Sequence, residues 1–207
     1  MAVLSVAQMG NPVLLKPCAP IEDPTDPEIV RLAGDMRDTI EDCGANGIAG
    51  PQVYAPLRIV VFRFAPWRIP PHSVVKPIPW TVMINPTVTP IDDGGDLYWE
   101  RCLSIPGIHG QVPRYSRIGL RYQTLEGKTE EREAVSWDAV LMQHEVDHLD
   151  GILFTMRMKD LSTLSFNASP GVLAEDAAVN EDLDPLLKAL VDNWPMRAKW
   201  AGYLSRP

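Results

Sequence analysis

The stretch from Ser136 to Gly151 constrains this chain more than any other. It reads as one helix. Ser136 suits the N-cap, Asp138 the first turn, and Gly151 the C′ position, where a left-handed residue closes a helix. Trp137, Val140, Leu141, His144 and His148 recur at helical spacing and share a face that begins apolar and ends in two imidazoles. Residues four apart lie about one turn apart, roughly 40° from eclipsed. His144 and His148 can therefore grip one divalent metal ion. Glu145 sits beside that ion but off its coordination axis. This is the HExxH arrangement, in which two neutral imidazoles bind and the carboxylate takes a proton from water on the metal. The chain has only four histidines, so two of them flanking a glutamate on a core-facing stripe are poorly explained by core packing. HExxH alone defines a metal-dependent hydrolase; the third ligand decides which kind.

Composition narrows the class. With 207 residues and 45% hydrophobic content, the chain can bury one sizeable core, or a core with an extended tail. Nineteen basic against 27 acidic residues give a net charge of −8, which excludes a general nucleic-acid surface. No run of about eighteen apolar residues is present, so no membrane span is expected. The first residues lack a basic region followed by a long apolar stretch, so no signal peptide is expected. Three cysteines, Cys18, Cys43 and Cys102, are too few and too odd for a disulfide framework and fit a reducing, cytoplasmic setting.

In chain order, residues 11–25 read as an extended leader. Asp26-Pro27-Glu28 starts a helix over about 27–42, with Ile29, Leu32, Ala33, Met36 and Ile40 on its apolar face. The glycine-rich run Gly44 to Gln52 has little side-chain bulk. It reads either as a turn before a strand or as a segment open to close backbone approach, ending in an amide, Gln52, that can donate to an oxyanion. Leu57–Phe64 reads as a strand. Prolines cluster in residues 66–90, and His72 among them reads as a solvated loop residue. Trp80–Asn85 is expected as a strand stopped by Pro86, with another from Thr87 to Ile91. Cys102 is either a small buried hydrophobe or a thiolate ligand. Strands over 117–124 and 130–136 pair around Glu126-Gly127 and feed the metal helix. Residues 159–180 read as loop, followed by a short helix from Asp184 and a locally basic tail.

Three motifs stand in order: Gly47-Ile48-Ala49-Gly50-Pro51-Gln52, Glu100-Arg101-Cys102-Leu103-Ser104, and His144-Glu145-Val146-Asp147-His148. Together they resemble the peptide deformylase family over roughly residues 5–160. The resemblance implies an α+β fold, with antiparallel sheets packed around a central metal-binding HExxH helix. It implies a catalytic domain over 1–160 and a C-terminal extension over 161–207. It also implies a metal held by Cys102, His144 and His148, Glu145 as general base and then acid, and an oxyanion held by Gln52 and the backbone N–H of Leu103. The metal would be Fe²⁺, replaceable by zinc, nickel or cobalt. The substrate would be the N-formyl-methionyl end of a new polypeptide, with formate released.

Within that reading, the small residues near Gly47 leave backbone free to pair with an extended peptide, and Ile48, Trp137, Val140 and Leu141 would line a methionine pocket. Arg101 replaces the glycine of the family's EGCLS, beside the substrate path, where it would narrow the cleft or attract a carboxylate-bearing substrate. The tail does not resemble the basic helix that docks some members on the ribosome. Two other readings make different demands. An HExxH metallopeptidase would need a downstream third ligand, for which Glu175 and Glu181 remain. A catalytically impaired metal- or peptide-binding relative would have no use for Glu145.

Overall fold

A computed structural model describes residues 2–69 and 75–167. The architecture is α+β, with every strand pair antiparallel. A five-stranded sheet runs in the order β1 (Gly47–Ala49), β2 (Ile59–Phe64), β3 (Ile78–Pro90), β6 (Arg117–Gln123) and β7 (Thr129–Val135). A three-stranded sheet joins β4 (Asp96–Cys102), β5 (Ile105–Arg114) and β8 (Ser165–Phe166). His72, the expected helix from Asp184, Glu175, Glu181 and the tail lie outside the described residues.

Helix α1 (Pro27–Cys43) forms as its sequence dictates. The Asp26 carboxylate accepts from Glu28 N, Pro27 opens the first turn, and Gly44 closes the helix at φ 66° with its N–H on Ile40 O. Ala33, Met36 and Ile40 bury against Ile48, Ile59, Val61 and Ile84. On the other face of the same sheet, Ala49, Val60, Phe62, Met83 and Leu120 bury against Ala139 and Met142 of α2 (Trp137–Leu149). The alternation along β2 thus serves two helices, which is why the strand reads as a continuous apolar run rather than an alternating one.

Four expectations need correction. Pro86 does not stop a strand, because β3 runs through it. Asn85 takes a left-handed conformation (φ 51°), the register shifts there, and its side chain accepts from Ile21 N while donating to Ile21 O and Gln123. Ser136 occupies the N-cap position, but its side chain makes no cap hydrogen bond; its backbone is at φ 54° and its N–H goes to Ser116 O. Part of the leader is not extended, since residues 12–15 form a 3₁₀ turn capped by Asn11. Residues 161–167 are not loop throughout: a 3₁₀ turn leads into β8, which pairs with Ile108 and His109 of β5.

Helix α2 ends as expected, with Gly151 at φ 74°. A Cβ there would also lie 2.7 Å from the backbone carbon of Leu15, so the N-terminal turn can pass only over a glycine. The short α3 (Phe154–Arg157) follows and places Leu153 and Phe154 under the second sheet, beside Cys102, Ile105 and Val112.

Candidate metal centre

The second half of α2 is buried on every side, although it carries Gln143, His144, Glu145, Asp147 and His148. Buried polar groups need partners, and the partners come from three other elements. Strand β4 contributes Glu100 and Cys102 on its inward-facing side. His148 Nε2 lies 3.2 Å from Cys102 Sγ, and His144 donates from Nδ1 to Glu100 Oε2 at 2.7 Å. That bond orients the His144 ring so that Nε2 faces the centre. One ligand atom each from Cys102, His144 and His148 lie within 4.8 Å of one another.

A metal ion fits this donor set. Two donors on one tetrahedral ion, with metal–sulfur near 2.3 Å and metal–nitrogen near 2.0 Å, stand about 3.5 Å apart. The observed 3.2 Å between Cys102 and His148 is close to that. A soft thiolate with two imidazoles selects a transition metal rather than calcium or magnesium.

The charges of the centre are coupled. Burial by itself raises the Cys102 thiol, but the His148 charge and hydrogen bonds from both histidines bring it down to about 5, so the sulfur is a thiolate at neutral pH. The backbone N–H of Ser104 (3.4 Å) and the Gln52 amide (3.6 Å) also point at the sulfur. Burial opposes a charge on His144, yet hydrogen bonding to Cys102 and Glu100 raises it well above the usual imidazole range. Glu145 is pushed up to about 7, chiefly by burial, and its Oε2 is buried with no protein partner.

The glycine-rich segment has a more specific role than its sequence suggests. A Cβ at Gly47 would lie 2.7 Å from Glu145 Oε1, so Gly47 makes room for the carboxylate itself. Gln52 Oε1 accepts from Ala49 N at 2.8 Å, which turns the amide N–H toward Cys102 and Ser104 Oγ. Leu103 stands half-buried in the turn between β4 and β5. The leader ties these parts together: Ala7 N donates to Gln52 O, and Met9 N to Ser104 O. Nothing in residues 7–9 signals this, because the bonds are made by backbone.

Trp137 and Val140 come together with Phe64, Val75 and Trp99, with Leu141 half-buried against them and the Tyr98 ring 5.4 Å from Trp137. Ile48 does not join them. Strand periodicity turns its side chain to the opposite face, against Met36 and Ile40, while Gly47 and Ala49 face α2. Arg101 is half-buried on β4, between Glu100 and Cys102. The residues that sequence reasoning left without a role are Glu100, Arg114 and Asp147. Glu100 and Asp147 stood inside two of the quoted motifs. Arg114 carries no local signal.

An α+β scaffold presenting a buried thiolate, two imidazoles and a carboxylate at one point defines a metal-dependent hydrolase. Residues 3–163 match the family model for polypeptide deformylase. The chain is 39% identical over 176 residues to peptide deformylase 1 of Nitrosomonas europaea, covering 83% of this chain and 98% of that one. It is also 39% identical over 166 residues to peptide deformylase 1 of Prochlorococcus marinus, covering 80% and 86%. Among solved structures, a class I type b peptide deformylase from Acinetobacter baumannii bound to Met-Ala-Ser superposes with TM-score 0.69 at 34% identity, covering 76% of this chain and 99% of that one. The same enzyme bound to actinonin gives 0.66 at 33% identity, covering 77% and 100%. The chain belongs to the peptide deformylase family, and deformylation is its enzymatic activity.

Proposed function

We propose that Cys102, His144 and His148 hold one divalent ion, Fe²⁺ in the cell and replaceable by Zn²⁺, Ni²⁺ or Co²⁺, in a centre that hydrolyses the N-formyl group from newly made formyl-methionyl polypeptides. The observation that carries this reading is the convergence of those three ligand atoms beside a buried, partly unpartnered Glu145. The ion supplies positive charge that acidifies water and polarises a carbonyl. Glu145 takes the proton from the attacking water and returns it to the leaving amine, a role suited to a carboxylate poised near neutrality. The Gln52 amide and the Leu103 N–H hold the oxyanion, and removing one such donor costs about 10²–10³ in rate.

Strands β1 and β4 are edge strands of their sheets, and each adjoins the centre through Gly47 and Cys102. An extended peptide would pair with the backbone at Gly47 and Ile48 on one side and Arg101 on the other. Its methionine would enter the group formed by Trp137, Val140 and Leu141, with Ile48 contributing backbone alone. In this reading the helix α2 is the metal-binding axis of the catalytic domain. Residues 161–166 join the second sheet of that domain through β8, and the partner is the nascent chain rather than nucleic acid or membrane. No helix among the described residues is long and apolar enough to cross a membrane. We place the reaction in the cytoplasm; the tail sequence does not resemble a basic ribosome-docking helix.

The test is formate release from formyl-Met-Ala-Ser by anaerobically prepared Fe²⁺ or Co²⁺ protein, with Met-Ala-Ser run alongside. Formate from the first and no cleavage of the second supports the reading. Cleavage of the unformylated peptide would favour the metallopeptidase. Absence of formate from fully metallated protein would leave only the binding protein.

A further inference from the structure

A chain of ion pairs, buried beyond its first member Arg157, runs from α3 to the centre. Arg157 donates from Nε and Nη2 to Asp147 at 2.7 and 2.6 Å. Asp147 Oδ2 also accepts from Arg114 Nη1 at 2.6 Å. Arg114, with 2% of its side chain exposed, grips Glu100 with Nε and Nη2 at 2.6 and 3.0 Å. Glu100 in turn holds His144 Nδ1. Two guanidinium and two carboxylate groups alternate, so the set is neutral as a whole.

Removing Arg157 leaves Arg114, already shared with Glu100, as the one cation of this set on Asp147. Arg114 can satisfy Asp147 more fully only by loosening its two-pronged grip on Glu100, because a planar guanidinium presents its donors in a fixed fork. Glu100 is the group that sets the His144 ring. The Arg157 side chain, 44% exposed, is the least buried of the set and stands outside every motif.

We propose that Arg157 is a positioning residue for the metal centre, acting through Asp147, Arg114 and Glu100 on the orientation of His144. The inference rests on the metal-site reading above. Loss of a supporting partner of a ligating histidine typically costs 10–100-fold in metal affinity, and at three links' remove about tenfold is expected.

The experiment measures Co²⁺ affinity by chelator competition, and the ligand-field absorption of the Co²⁺ protein, for wild type, Arg157→Gln, Arg157→Lys and Arg58→Gln. The last removes an ion pair to Asp150 at the same end of α2, outside the chain of pairs. Arg157→Gln is expected to weaken Co²⁺ about tenfold and to alter the spectrum. Arg157→Lys should recover only part, since it restores charge without the fork, and Arg58→Gln should leave both readouts at wild type. In a Glu100→Gln background the effect of Arg157→Gln should vanish. Wild-type affinity and spectrum in Arg157→Gln, or a change no larger than that of Arg58→Gln, would overturn the proposal whatever happens to thermal stability. If Arg157→Gln does not fold, Arg157→Lys decides on the same two readouts. A wild-type protein that binds no Co²⁺ would overturn the metal-site reading, and this inference with it.

Discussion

The two long helices lie on opposite faces of one sheet and are stabilised in different ways. Helix α1 buries an apolar stripe, Ala33, Met36 and Ile40, and turns a charged face to water. Helix α2 is buried almost all round, and its second half adds charge pairing to the apolar contacts of Met142 and Leu149. An apolar stripe tolerates any side chain of suitable size. A buried polar helix depends on named partners, because a charge left alone in a low-dielectric interior is costly. The first arrangement makes a scaffold. The second spends stability on holding a few groups where chemistry needs them.

The sharpest way to break this contrast is Arg114→Met. It should strip Glu100 of its guanidinium, leave Asp147 with Arg157 alone, and destabilise the protein by about 3–5 kcal/mol, the typical cost of removing one partner from a buried pair, as read by urea unfolding. Its pH dependence should change as well. Arg114 and His144 outweigh burial and hold Glu100 down to about 2, below the ordinary carboxylate value of 4.5. A depressed carboxylate stabilises the fold above its unfolded pKa, and that contribution is lost as pH falls from about 4.5 toward 2. Without Arg114, burial weighs more, and this acid loss should shrink or reverse, because protonating a buried carboxylate that lacks its cation relieves the fold. On the other helix, Met36→Ala should cost about 2–4 kcal/mol through the cavity alone, with formate release per folded molecule unchanged. Asp26→Ala, which removes the α1 cap, should cost about 1 kcal/mol. A change in turnover from either α1 variant would show that the two faces of the sheet are coupled.

Much of this was legible in the sequence because local physics wrote it there. The α1 cap, its apolar stripe and its closing glycine occur together, and the HExxH spacing places two imidazoles on one face. Cys102 reads as a ligand only through the family resemblance, since a lone cysteine has no period. What stayed hidden was non-local. The bulge at Asn85 depends on contacts with Ile21 and Gln123. Ile48 adjoins a motif, yet strand alternation turns its side chain to the face that α1 covers. The Arg114 link to Glu100 and Asp147 joins three elements, and no window of sequence contains it.

The measurement that tests the account most directly is Glu145→Gln, assayed for folding, metal content and turnover on one preparation. Glu145 is buried with one oxygen unpartnered and its pKa pushed up to about 7, so its charge is unfavourable to the fold. The isosteric, neutral variant should unfold at or above the wild-type temperature, retain one equivalent of metal, and release formate from formyl-Met-Ala-Ser at least about 10²-fold more slowly, the scale of a lost general base. Wild-type turnover in a folded, metallated Glu145→Gln protein would contradict the claim that this half of α2 gives up stability for chemistry.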